Sequence, residues 1–134
     1  MSKAELIALA NFRYQLRRFL RFSEQVTRRH GITPLQYQLM LQVEGFPGRS
    51  HATVVELAER LQAKHHGVVA LISRCEKAGL VARRANRDDL RVVEVTLTDK
   101  GRRCLERLAQ LHRAEHLALR GRFTLPAFDT DAPR

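Results

Sequence analysis

"TVVELAERLQAKHHGVVALISRCEKAG", Thr53 to Gly79, holds two short amphipathic segments joined by a tight turn. Thr53 and Glu56 stand at the spacing at which a threonine hydroxyl and a glutamate carboxylate cap each other's backbone amides. Val54, Leu57, Ala58 and Leu61 then recur at three- and four-residue steps and share one face. After "QAKH" the period returns in Val68, Val69, Leu71, Ile72 and Cys75, which are expected to face inward, and Gly79 supplies a helix stop. Two short helices across a tight turn are a helix-turn-helix candidate.

The next stretch is different in kind. "LVARR" reads as a short strand, "ANRDD" as a turn of Asn and Asp, and "LRVVEVTL" as an alternating strand. Val93, Val95 and Leu97 are expected on one face and Val92, Glu94 and Thr96 on the other. The two strands and their polar turn make a two-stranded hairpin. Arg83, Arg84, Arg87 and Arg91 crowd into its nine-residue tip. Four guanidinium groups repel one another unless something anionic takes them, and a hairpin after a helix-turn-helix is the winged arrangement.

Working outward, "TPLQYQLMLQVEG" carries a cap at Thr33, Pro34 at the first helical position and Gln36 to complete a capping box. Leu35, Leu39, Met40 and Val43 form its expected apolar stripe, and Gly45 ends it. "GFPGRSHA" reads as a loop. The segment from Lys3 to Arg29 reads as one helix with Leu9, Phe12, Leu16, Phe19, Leu20 and Val26 in helical period, stopped by Gly31. Its arginines, Arg13, Arg17, Arg18, Arg21, Arg28 and Arg29, read first as a solvated face. It is far longer than the usual 10 to 14 or so residues, and long terminal amphipathic helices often pair with a partner chain. A last helix starts at the cap Thr98, runs through Cys104, Leu105, Leu108, Leu111 and Leu119 and fades near Gly121, leaving a proline-bearing tail.

The chain has 134 residues with 24 Lys+Arg against 14 Asp+Glu, a net charge of +10. Such an excess favours polyanion partners, nucleic acid before acidic membrane surfaces. No apolar run approaches the roughly 20 residues that span a bilayer, and the N-terminus lacks a secretory pattern, so a cytoplasmic location is expected. Cys75 and Cys104 are too few for a disulfide scaffold and read as small buried hydrophobes, a redox switch being the alternative. "HRAEH", His112 to His116, matches the H-x-x-E-H spacing of some zinc peptidases. A solvated helix face is the simpler reading, with a regulatory metal site drawing on His30, His51 or a partner subunit as the alternative. No phosphate loop and no nucleophile–base pattern is visible, so no enzyme, no cofactor and no resident metal is expected.

In this order, "TPLQYQLMLQVEG", "TVVELAERL", "VVALISRCEKAGLVARR" and "DDLRVVEVTLTDKG" resemble the MarR family of bacterial transcription regulators, over roughly residues 5–120. The resemblance implies a mainly α fold: a winged helix-turn-helix with a two-stranded β-wing and a dimerisation region built from the N- and C-terminal helices. One domain, 1–134, would divide into dimerisation helices 3–30 and 99–121, a DNA-binding lobe 33–97 and a tail 122–134. Many members are homodimeric repressors released by small aromatic or anionic ligands. The family's wing aspartate and arginine fall on Asp89 and Arg91, and its recognition-helix start on Lys64, His65 and His66, with Arg74 further along. Members commonly end with two helices, where this chain has one and a short tail.

The expected DNA-contacting set is therefore Lys64, His65, His66, Arg74, Arg84, Asn86, Arg87, Asp89 and Arg91, facing a pseudo-palindromic operator. Asp89 is expected to hold Arg91 by a forked pair. A small-molecule pocket between the first helix and the DNA-binding lobe would draw on Arg17, Arg21, Phe22 and Tyr37. The competing function is a sequence-tolerant architectural DNA-binding protein without ligand control, and a third is a metal-responsive regulator.

Overall fold

The computed structural model describes residues 1–120 and 126–128. Among them the chain forms α1 (Lys3–Arg29), α2 (Pro34–Glu44), β1 (His51–Thr53), α3 (Val54–Leu61), α4 (His65–Lys77), β2 (Val81–Ala85), β3 (Val93–Leu97) and α5 (Asp99–Ala118).

The helix starts are chemical. Reciprocal capping boxes open α1 (Ser2 with Glu5), α2 (Thr33 with Gln36) and α3 (Thr53 with Glu56). Only the first of these went unread in the sequence. Arg49 pairs with the same Glu56 carboxylate, which fastens the preceding loop to α3. Thr98 opens α5 by accepting from Gly101 N at 3.0 Å while donating to Gly79 O at 2.6 Å, so one hydroxyl ties the end of α4 to the start of α5. Gly79 itself turns left-handed at φ 76°, as its place after α4 requires.

The sheet order is β1-β3-β2, antiparallel throughout. The hairpin pairs Val81 with Leu97 and Ala85 with Val93. β1 was expected as loop; it pairs His51 with Thr96 and Thr53 with Glu94 along the other side of β3. Three residues carry no period, and Ala52, fully buried between polar neighbours, is the only packing they supply.

The core lies beneath the helix-turn-helix. Leu39, Met40 and Val43 from α2 meet Leu57 of α3, Val68, Ile72 and Cys75 of α4, and Val95 of β3. Leu105 and Leu108 bring α5 onto the same core. Burial pushes the Cys75 thiol up to about 11, which makes it a small hydrophobe at neutral pH; Cys104 is half-buried.

Four expectations of facing are corrected. Leu35 is exposed and Tyr37 takes the buried place on α2, because α5 presents an aromatic-sized site there. Val69 turns outward, away from the stripe of Val68, Leu71, Ile72 and Cys75. Val93 is exposed while Glu94 is buried, because β1 covers the Glu94 side of the strand and supplies partners there. Leu111 is exposed on α5. The strand begins at Val93 rather than Leu90, the residues before it being spent in the turn. Gly121 and most of the tail lie outside the described residues.

Candidate nucleic-acid interface

α4 buries Val68, Leu71, Ile72 and Cys75, residues spaced for one helix face. The opposite face is thereby left to solvent: His65, His66, Ala70, Ser73 and Arg74 are all exposed. Lys64 is the N-cap and makes no side-chain cap bond. The first amides of α4 therefore keep the positive end of the helix dipole open beside Lys64, His65 and His66. Such an end suits a phosphate oxygen. Arg74 sits two turns on, about 12 Å along the axis.

The turn before α4 is fixed by Gln62, which adopts a left-handed conformation at φ 50°. Its side-chain amide donates back to Glu59 O at 2.7 Å. This sets the angle at which α4 leaves the body.

The wing is organised by polar bonds rather than packing. Asn86 Oδ1 accepts from the amides of Asp88 and Asp89, at 2.8 and 2.9 Å, which folds the tip. Asn86 Nδ2 donates to Glu94 Oε1 at 2.6 Å. Arg84 Nε donates to Glu94 Oε2 at 2.9 Å, and His51 Nε2 stands 3.7 Å from Glu94. Glu94 is thus a buried hub joining all three strands. Donation from Asn86 and Arg84, with the nearby His51, holds its carboxyl below the usual glutamate range.

Asp89 and Arg91 form the expected fork, Nε to Oδ1 at 3.0 Å and Nη2 to Oδ2 at 3.2 Å. Hydrogen bonds from the Arg91 side chain and amide hold the Asp89 carboxyl below its ordinary value. Arg91 remains almost wholly exposed even so, and Arg87 stands exposed at the tip. Arg83, in contrast, turns back onto α4, bonding Glu76 at 3.0 Å, Ser73 at 2.9 Å and Val69 O at 3.3 Å. It fixes the wing to α4.

His65 and Val69 on α4 and Arg91 and Val93 on the wing line one cleft of about 560 Å³. The structure therefore brings the helix start and the wing to one side of the molecule. It does not leave Asn86 free for DNA, because both ends of its amide are used inside the wing. Sequence reasoning missed Glu94, His51 and the inward role of Arg83. The signal was present: Glu94 stands in register with Arg84 across the hairpin.

The proposed ligand residues fall apart. Arg17 and Arg21 are exposed on α1, whereas Tyr37 is buried and Phe22 half-buried. Tyr37 and Phe22 meet at His112, which stacks on Tyr37 with centroids 4.4 Å apart and planes 9° apart, and meets Phe22 edge-on at 5.9 Å. His112 is buried, not on a solvated face. Its Nδ1 faces the Leu108 carbonyl at 2.7 Å and so carries a proton; Nε2 bonds Ser23 Oγ at 2.7 Å. Both nitrogens of the first histidine in "HRAEH" are thereby occupied. Among the described residues no group of three or more His, Cys, Asp or Glu is placed to hold a metal. Nor is any described helix long and apolar enough to cross a membrane.

Residues 30–92 match the model of the MarR family. The transcriptional repressor MdtR of Bacillus subtilis is 33% identical over 75 residues, covering 54% of this chain and 45% of that protein. The chain spans about half the length of the curated relatives it matches. AbsC, a MarR family transcriptional regulator from Streptomyces coelicolor, shares the fold at a TM-score of 0.76 and 22% identity, over 92% of this chain and 80% of that one. A mutant of MarR from E. coli, complexed with operator DNA, does so at 0.69 and 24%, over 87% and 81%. The helix-turn-helix lobe of this chain is similar to the MarR family, and the described chain shares the fold of these solved structures.

Proposed function

We propose that the protein is a sequence-specific DNA-binding transcriptional regulator, a homodimeric repressor in the cytoplasm that a small aromatic or anionic effector releases from a pseudo-palindromic operator. The observation that carries this reading is the shared cleft of α4 and the wing, with an uncapped helix start on one rim and Arg91 on the other. Lys64, His65 and His66 enter the major groove with Arg74 behind them, and the wing lays Arg84, Arg87 and Arg91 along the backbone or minor groove. Asp89 acts through Arg91, and Asn86 acts through the shape of the tip.

The dimer reading is supported by α1, whose 27 residues bury only Val26 and Thr27 completely. Leu6, Ile7, Tyr14 and Leu20 of α1 and Leu117 of α5 are exposed. Pairing α1 and α5 with a second copy would cover them and present two copies of the 33–97 lobe to half-sites about 34 Å apart. An aromatic effector drawing on Tyr37 and Phe22, steered by Arg17 and Arg21, would have to displace His112. The family match and the regulators among its relatives support a role without catalysis.

Arg87→Ala tests the wing's part. Affinity should fall evenly across sequences, with the salt slope reduced by roughly one. Unchanged affinity and slope would remove Arg87 from the interface.

A further inference from the structure

α4 turns one large apolar side chain outward, Val69, which is 37% exposed. We propose that Val69 selects thymine in each half-site, by contact of its methyl groups with the C5-methyl of that base. This deepens the DNA-binding reading and rests on it: α4 must be the element that enters the major groove.

The face around Val69 is short of hydrogen-bonding readers. Paired hydrogen bonds to base edges come chiefly from arginine, lysine, asparagine and glutamine. From His65 to Ser73 the sequence is "HHGVVALIS", which contains none of these. Lys64 stands at the N-cap, before this stretch, and Arg74 follows it. Between them the exposed residues are His65, His66, Gly67, Val69, Ala70 and Ser73. The Ser73 hydroxyl accepts from Arg83 Nη2 at 2.9 Å, which draws that side chain back toward the wing. Single hydrogen bonds from the two histidines remain, together with apolar contact.

Apolar contact has one target in the major groove. Guanine, adenine and cytosine present hydrogen-bond acceptors and amino donors there, and thymine adds a methyl group. A valine set against a purely polar edge strips water from it and returns no hydrogen bond. Against thymine the same valine buries apolar surface on both sides.

The surroundings hold Val69 ready for this contact. Its carbonyl accepts from Arg83 Nη2 at 3.3 Å, and β-branching leaves it one strongly preferred rotamer in a helix. His65, one turn before it, and Val93 of the wing line the same cleft. Clearance comes from the neighbouring rows. A Cβ added at Gly67 would meet nothing within 4 Å, so packing within the chain does not require glycine there. Glycine weakens a helix relative to alanine. Against DNA, Gly67 and Ala70 let the backbone of α4 come close to the base edges and bring Val69 within reach.

The test begins with duplexes enriched by the full chain from a random-sequence pool, which define the half-site. Each thymine in it is then replaced singly by deoxyuridine, which keeps every hydrogen-bonding group and lacks only the methyl. At least one thymine per half-site should respond, its loss of the methyl weakening binding about fourfold, the worth of one buried methyl group. Val69→Ala should bind the thymine and uracil duplexes alike at one such position and leave the response of any other thymine unchanged. Val69 is partly exposed and alanine favours a helix, so the substitution keeps α4 intact. Selective binding that ignores every uracil substitution would overturn the assignment while leaving the regulator reading in place. So would a uracil response that survives intact at every position in Val69→Ala. A pool from which no sequence is enriched would overturn both.

Discussion

The guanidinium of Arg91 is forked onto the carboxylate of Asp89 two residues before it, in the tip of the wing. On the surface proposed to face DNA, a carboxylate would repel phosphate. Its presence is explained by order: the fork removes freedom that a long arginine would lose on binding.

Asp89→Asn separates the two effects by sign. On net charge alone the variant should bind DNA more tightly. If positioning dominates, it should bind about three- to tenfold more weakly, the worth of one side chain ordered in advance. Weaker binding in a fluorescence titration at fixed salt is the expected outcome. Tighter binding would make Arg91 a plain point charge.

The Glu94 hub makes the wing acid-sensitive. Its carboxyl is held below its ordinary value of 4.5, so the unfolded chain takes up the proton first as pH falls. The hub's stabilisation is therefore complete above that ordinary value and is lost as pH falls through the folded one. Amide exchange in β2 and β3 should accelerate on acidification below pH 4.5, relative to α4. Glu94→Gln should loosen the wing at neutral pH and abolish the selective acid response. A wing whose acid response is the same in wild type and variant would contradict the hub.

Gly101 is required by contact rather than by conformation. A Cβ there would lie 2.0 Å from Leu80 O, a backbone atom that cannot step aside cheaply. Gly101→Ala should destabilise the chain by about 3 kcal/mol, the upper part of the overpacking range. Chemical denaturation measures this; a change under about 0.5 kcal/mol, the size of an ordinary surface substitution, would mean that α5 can shift away.

Much of this architecture was legible because helices declare themselves locally. The capping pairs at Thr33 and Thr53, the stops at Gly31 and Gly79 and the three-and-four spacing of Leu57, Ala58 and Leu61 are all short-range signals. So is the Asp89–Arg91 fork, whose partners are two residues apart. What stayed hidden depends on distant partners. β1 is a strand only because β3 lies beside it. Glu94 is buried only because His51, some forty residues earlier, closes over it. His112 reads as one of several helix-surface histidines until Tyr37 and Ser23 arrive from two other helices. Arg83 and Arg91 are the same residue type in one run, and only the position of α4 decides that the first is a brace and the second faces solvent.

The proposed regulator reads a particular DNA sequence through α4 and the wing. The most direct test is binding of the full chain to the DNA upstream of its own gene against random duplex, at a physiological salt of about 0.15 M. A preference of roughly 10³-fold or more for the upstream DNA is expected. Equal, salt-sensitive binding to both would contradict it and leave a sequence-tolerant architectural protein in its place.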